Sequence, residues 1–133
     1  MAGRALKNTR KFGLQWEKAA ENYLCQQGLQ LLERNFASRF GEIDLIMEDS
    51  SVAGRKTVVF VEVRYRKSTL HGSGAESVTL QKQGRLSRTA GWFLAKNPQR
   101  AEQYCRFDVV SIDSQNIDPS FEWIKNAFYS TIG

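Results

Sequence analysis

The succession of apolar patterns along this 133-residue chain predicts one three-layer α/β domain, a central mixed β-sheet flanked by helices. Three observations predict it. Apolar residues recur at helical spacing from Phe12 to Gln27, strand-like runs follow up to Arg66, and a second helical period from Val78 to Lys96 precedes one or two further strands. With 41% hydrophobic residues the chain can build one core but is too short for two. The expected organisation is a basic N-terminal arm over residues 1–11 and a single domain over residues 12–133.

Each element has its own signal. In the first helix Trp16, Ala19, Ala20, Tyr23 and Leu24 form the apolar arc, and Gly28 follows at the C-terminal cap. Glu17 falls at the margin of that arc and Glu21 further round toward solvent. Glu17 can thus reach a site beneath the helix, or serve as a surface acid favourable to the helix dipole. Leu29–Arg34 reads as a short strand and Asn35–Phe40 as a turn. Strands over 41–46 and 58–64 form a hairpin across a loop taken as Asp49–Thr57. Residues 67–77, with His71, Gly72, Ser73 and Gly74, read as a loop, His71 as a loop residue that contacts ligand at most. The second helix carries Leu86, Ala90, Phe93 and Leu94 on its apolar face and stops before Pro98. Strands over 107–112 and 121–124, with a turn over 116–120, complete the chain.

The two hairpin strands carry the chemistry. Gly41-Glu42-Ile43-Asp44-Leu45-Ile46 and Val58-Val59-Phe60-Val61-Glu62-Val63-Arg64 each set acids into a run that otherwise reads as core. An unpaired buried carboxylate normally protonates, pairs or binds a metal. Closing the hairpin about Ala53 sets Glu48 opposite Val58, Ile46 opposite Phe60 and Asp44 opposite Glu62. Directly opposed residues have Cβ atoms roughly 5 Å apart, where two full charges repel by about 3 kcal/mol at an effective dielectric near 20. A hard divalent cation, Mg²⁺ or Mn²⁺, converts that repulsion into ligation, and Mg²⁺ is commonly held by one or two carboxylates plus substrate phosphate. Arg64 shares the face of Glu62. Asp108, with Arg106 two residues away on the same face, reads as a structural ion pair.

Nineteen Lys and Arg against fourteen Asp and Glu leave a net charge of +5, and Arg4, Lys7, Arg10 and Lys11 precede any acid. That balance favours polyanionic partners. Lys82, Arg85 and Arg88 form a ridge on the second helix, either a solvated face or a track for phosphates, and Lys82 borders the apolar arc so that it can point into a cleft. Cys25 and Cys105 lack metal-ligand spacing and read as reduced, small core residues. No stretch matches a secretory signal or a run of about 18 apolar residues, so a cytoplasmic protein without a membrane partner is expected.

The helical acid, the Gly41–Ile46 string and Phe60-Val61-Glu62-Val63-Arg64 resemble the PD-(D/E)xK nuclease pattern in its Holliday junction resolvase variant, and most closely the YraN family. That resemblance runs from the Glu17–Leu24 helix through Arg106–Val110 to Trp123–Phe128. It implies a restriction-endonuclease-like fold in the order α-β-β-β-α-β-β, a Mg²⁺- or Mn²⁺-dependent phosphodiester hydrolase with DNA ahead of RNA as its substrate, Asp44 and Glu62 as metal ligands, and Glu17 as accessory acid. Arg64 then joins the catalytic set, Arg66, Lys82, Arg85 and Arg88 line the nucleic-acid path, and a symmetric dimer is implied. Arg64 stands where the motif has Lys, and a guanidinium stays protonated, so it can stabilise phosphate charge but cannot act as a base. Lys67 and Lys82 are the candidates to supply an ammonium. Two other functions stand beside the nuclease: a nucleic-acid-binding protein of nuclease ancestry, and an interaction module whose Asp44, Glu62 and Arg64 form a buried ion network.

Overall fold

The computed structural model describes residues 2–66, 78–114 and 118–130, with side chains from residue 13 onward. The elements are α1 (Ala2–Gln26), β1 (Gln30–Ser38), β2 (Gly41–Val52), β3 (Arg55–Arg66), α2 (Leu80–Lys96), a 3₁₀ turn over Pro98–Arg100, β4 (Tyr104–Asp113) and β5 (Ser120–Phe128). The expected order α-β-β-β-α-β-β and the three layers are observed. The helix begins at Ala2 rather than Phe12, so residues 2–11 continue it. The loop containing His71, together with Lys67 and part of the turn over 116–120, lies outside the described residues.

The five strands lie in sequence order, all neighbours antiparallel except β3 and β4, which run parallel and are joined through α2. Each face carries a helix because the strands alternate two apolar sets. Ile43, Ile46, Val58, Phe60 and Val109 meet Leu86, Ala90 and Phe93 of α2. On the opposite face Leu45, Met47, Val59, Val61 and Val110 meet Ala20 and Leu24 of α1. Phe93 sits edge-on to both Phe36 and Phe60, at centroid distances of 5.3 and 6.0 Å. α2 starts cleanly because the Thr79 hydroxyl accepts the Lys82 amide proton, and the Asn97 side chain donates to the Phe93 carbonyl at the other end.

Two expectations about the hairpins need correction. β2 and β3 extend to a two-residue turn, Ala53-Gly54, where Gly54 takes φ +71, instead of a loop over Asp49–Thr57. A bulge between Asp49 and Val52 absorbs the extra residue, so Glu48 still meets Val58 and Ile46 meets Phe60. Nor does Asn35 begin a turn: β1 continues to Ser38, with Asn35 at φ +48 as a kink inside the strand. Asn tolerates that left-handed backbone, which a turn also requires, and this is why the two readings coincide in sequence.

Candidate active site

Asn35 is also where the strand pattern yields to the site. Phe36 and Ile43 pack toward α2 while Arg34 reaches α1, so the kink slips the alternation by one residue opposite Asp44. The β2–β3 ladder ends at Leu45 opposite Val61. One residue further, the Asp44 carboxylate accepts the backbone N–H of Val63 at 2.8 Å, in place of a strand carbonyl. Asp44 and Glu62, expected to face each other across the hairpin, lie just beyond the last pair of the ladder and both line one cavity.

A cavity of about 290 Å³ opens there, walled by Glu17 and Trp16 of α1, Asp44 of β2, and Glu62, Val63 and Tyr65 of β3. The rings of Trp16 and Tyr65 stack at 4.5 Å and form its apolar side. Asn35 donates from one amide nitrogen to Glu17 and, at 3.1 Å, to Glu42, tying two acids together with a neutral group. Lys82 reaches over from α2 and pairs with Glu62 at 2.5 Å. On its far side Lys82 lines a second cavity of about 240 Å³ with Gly41, Glu42 and Arg85.

Electrostatics separate these acids. Burial pushes Asp44 up, and the Glu62 charge pushes in the same direction, to about 8, against the opposing Val63 hydrogen bond. Burial likewise raises Glu17, offset by the Asn35 hydrogen bond and reinforced by Glu42 and Glu62. Among the described residues no three of His, Cys, Asp and Glu stand together as a ready-made metal cage. Asp44 and Glu62 are therefore a carboxylate pair rather than a closed ligand set, which suits a hard cation that takes its remaining oxygens from water and phosphate.

The predicted residues are distributed as follows. Glu17, Asp44, Glu62 and Lys82 converge. Arg64, partly buried opposite Ser111 of β4, is not among the walls of the Asp44 cavity. Arg66 lies at the end of β3 opposite Asp113. Arg85 and Arg88 are exposed on α2. Asn35, Trp16 and Tyr65 were not anticipated as site residues; the only sequence trace of the first is an Asn inside a run that pairs as a strand.

Several other acids prove to be structural. Glu21 is buried rather than solvent-facing: Arg34 donates to both its oxygens, at 2.6 and 2.9 Å, and holds its pKa down. Glu48 pairs with Arg100 at 2.6 Å, and Asp49 with Arg106 at 2.8 Å. Asp108 is the ion pair expected, fully buried and accepting from Arg106, the Trp123 indole and the Asn126 amide. The cysteines, by contrast, are free and exposed rather than core: Cys25 follows Leu24 round the helix by 100°, past the buried arc, and Cys105 sits near the start of β4. No helix of the described residues is long and apolar enough to cross a membrane.

Known proteins share this framework over most of its length. The family described as "Uncharacterised protein family UPF0102" matches residues 16–112, which span the helical acid, the Asp44–Glu62 hairpin, α2 and β4. A UPF0102 protein of Alcanivorax borkumensis is 46% identical over 129 residues, covering 96% of each chain. One from Stutzerimonas stutzeri is 42% identical over 125 residues, covering 94% of this chain and all of the relative, and one from Nitrosomonas europaea is 50% identical over 112 residues, covering 84% and 88%. The chain belongs to the UPF0102 family, also known as the YraN family.

Proposed function

We propose that this protein is a Mg²⁺- or Mn²⁺-dependent nuclease hydrolysing phosphodiester bonds in DNA, branched or structured DNA included. The observation that carries the reading is that Asp44, Glu62 and Glu17 wall one small cavity while Lys82 of the second helix pairs with Glu62 from beside it. Asp44 and Glu62 are the residues that would hold the cation. When bound, a divalent cation polarises a phosphoryl oxygen and lowers the pKa of water. Glu17, kept in place by Asn35, adds negative charge at the margin of the pair and orients water there. Lys82 sets an ammonium within hydrogen-bond reach of Glu62, filling the role that Arg64 leaves vacant in the motif. Arg64 and Arg66 on the adjoining end of β3, and Arg85 and Arg88 on α2, supply positive charge for the strand on either side.

The test is cleavage of labelled four-way junction, flap, single-stranded and duplex DNA with Mn²⁺ or Mg²⁺, with Asp44→Ala beside the wild type. Metal-dependent products that disappear in the variant, with unchanged circular dichroism, support the reading. One observation favours a second reading, a binding protein of nuclease ancestry: Arg64 occupies the motif Lys position. Gel shifts of one DNA structure by both proteins, with no product from either, would select it.

A further inference from the structure

Beyond the acidic cavity, α2 continues as a one-sided cationic stripe. Its seventeen residues include Lys82, Arg85, Arg88 and Lys96 and no acid, and at 100° per residue these four and Trp92 fall within one arc. Trp92 is 46% exposed, so an aromatic surface lies open on that cationic arc. Facing it across a cavity of about 400 Å³ is the β1–β2 turn, with Ser38, Arg39 and Phe40. The turn is fixed, not loose: the Ser38 hydroxyl hydrogen-bonds Thr89 of α2 at 3.0 Å and accepts the Phe40 amide proton at 3.1 Å. Each ring also has its own cation, Arg39 5.0 Å from the Phe40 centroid and Lys96 5.3 Å from that of Trp92.

We infer that Trp92 and Phe40 form a stacking platform for an unpaired nucleobase of a DNA strand whose phosphates follow Arg88 and Arg85 toward Lys82 and the Asp44–Glu62 pair. The inference rests on the nucleic-acid reading above and narrows its substrate to DNA with a single-stranded segment. An aromatic face flanked by cations fits a base and its phosphate together, whereas a neutral apolar partner would offer no counter-charge to Arg85, Arg88 and Lys96. Ten residues separate Lys82 from Trp92, about 15 Å of helix. A few nucleotides of one strand span that distance, so a base on the platform and a phosphate at the acids can belong to one strand.

Binding is measured with chelator present, so that no cutting intervenes, using a fluorescein-labelled twelve-nucleotide oligo-dT and a blunt twelve-base-pair duplex. Trp92→Ala is expected to weaken oligo-dT about tenfold and the duplex less than twofold, with Trp92→Phe restoring most of the loss. Quenching of tryptophan emission by oligo-dT should vanish in Trp92→Ala. Equal loss on both probes, or none, would overturn the platform, as would displacement of oligo-dT by polyglutamate at matched charge concentration. A change in sedimentation mass of Trp92→Ala with oligo-dT affinity unaltered would reassign the face to a second copy of the chain. If wild type cuts nothing with Mn²⁺ yet the oligo-dT selectivity holds, the nuclease reading fails and the platform stands.

Discussion

Asp44 and Asp49 stand five residues apart on β2, and their surroundings drive them in opposite directions. Burial acts on both. Around Asp49 it is outweighed by hydrogen bonds from Ser51 and Arg106, which bring the carboxyl down to about 2. Around Asp44 the nearest charge is another carboxylate, and the group rises to about 8. The same contrast runs through the two ends of the sheet. Around Asp49 the buried acids are matched by arginines, Glu48 with Arg100 and Asp49 with Arg106, and Arg106 also holds Asp108 further along β4. At the Asp44 end the neutral Asn35 amide ties Glu17 to Glu42, the ammonium of Lys82 pairs with Glu62, and Asp44 has no ion pair among the described residues. A matched cluster holds strands together, whereas an unmatched one keeps a proton on a carboxylate that would otherwise be charged, and perturbed groups of that kind concentrate at functional sites.

The comparison can be broken most forcefully at Asp108. Replacing it with Ala strands Arg106, the Trp123 indole and the Asn126 amide, and should cost about 3–5 kcal/mol in urea unfolding. Asp44→Asn should do the reverse. Asn still accepts the Val63 amide but cannot ionise, so the apo variant should exceed wild type by an amount that grows from about pH 4 to pH 8. An outcome of the same sign at both positions would sink the distinction.

The pH dependence sharpens it. Asp44, raised in the folded state, binds more protons there than in the unfolded chain between about 4 and 8. Its stabilisation is complete below pH 4 and fades as pH rises through 8. Asp49, depressed, contributes above pH 4, and that contribution fades as pH falls through about 2. Thermal melting without metal should therefore show a decline from about pH 4 to pH 8 that Asp44→Asn abolishes, and a decline below pH 4 that Asp49→Asn softens. Mn²⁺ should raise the melting midpoint of wild type more at pH 8 than at pH 6, since binding must displace a proton from Asp44, and should leave Asp44→Asn nearly unmoved.

Smallest is Arg34→Ala. Glu21 is buried, but the Arg34 side chain is 54% exposed and Lys18 remains nearby, so only a small loss is expected by chemical unfolding. A loss as large as that of Asp108→Ala would show that exposure does not separate the two kinds of pair.

Period and alternation alone determined the two helices, the strand runs and the hairpin register, because these depend on residues close in sequence. The facing of Asp44 and Glu62 follows from that register, and the position of Lys82 from the edge of its helical arc. Other features depend on distant partners. Glu48 and Asp49 are matched by arginines more than fifty residues away, carried to them by the β3–α2–β4 crossover, and no local pattern announces such a pairing. Glu21 turns inward because β1 brings Arg34 beneath it, and Asn35 sits at a kink that its sequence neighbours present as a turn. Trp92 and Phe40 each look like ordinary aromatics until the Ser38–Thr89 contact fixes the turn against the helix. The sequence by itself thus determined which elements form and which acids meet across one hairpin. Only the tertiary structure decided which of those acids are neutralised, because the sign of a buried carboxylate's energy is set by the charges that the rest of the chain brings within a few ångströms.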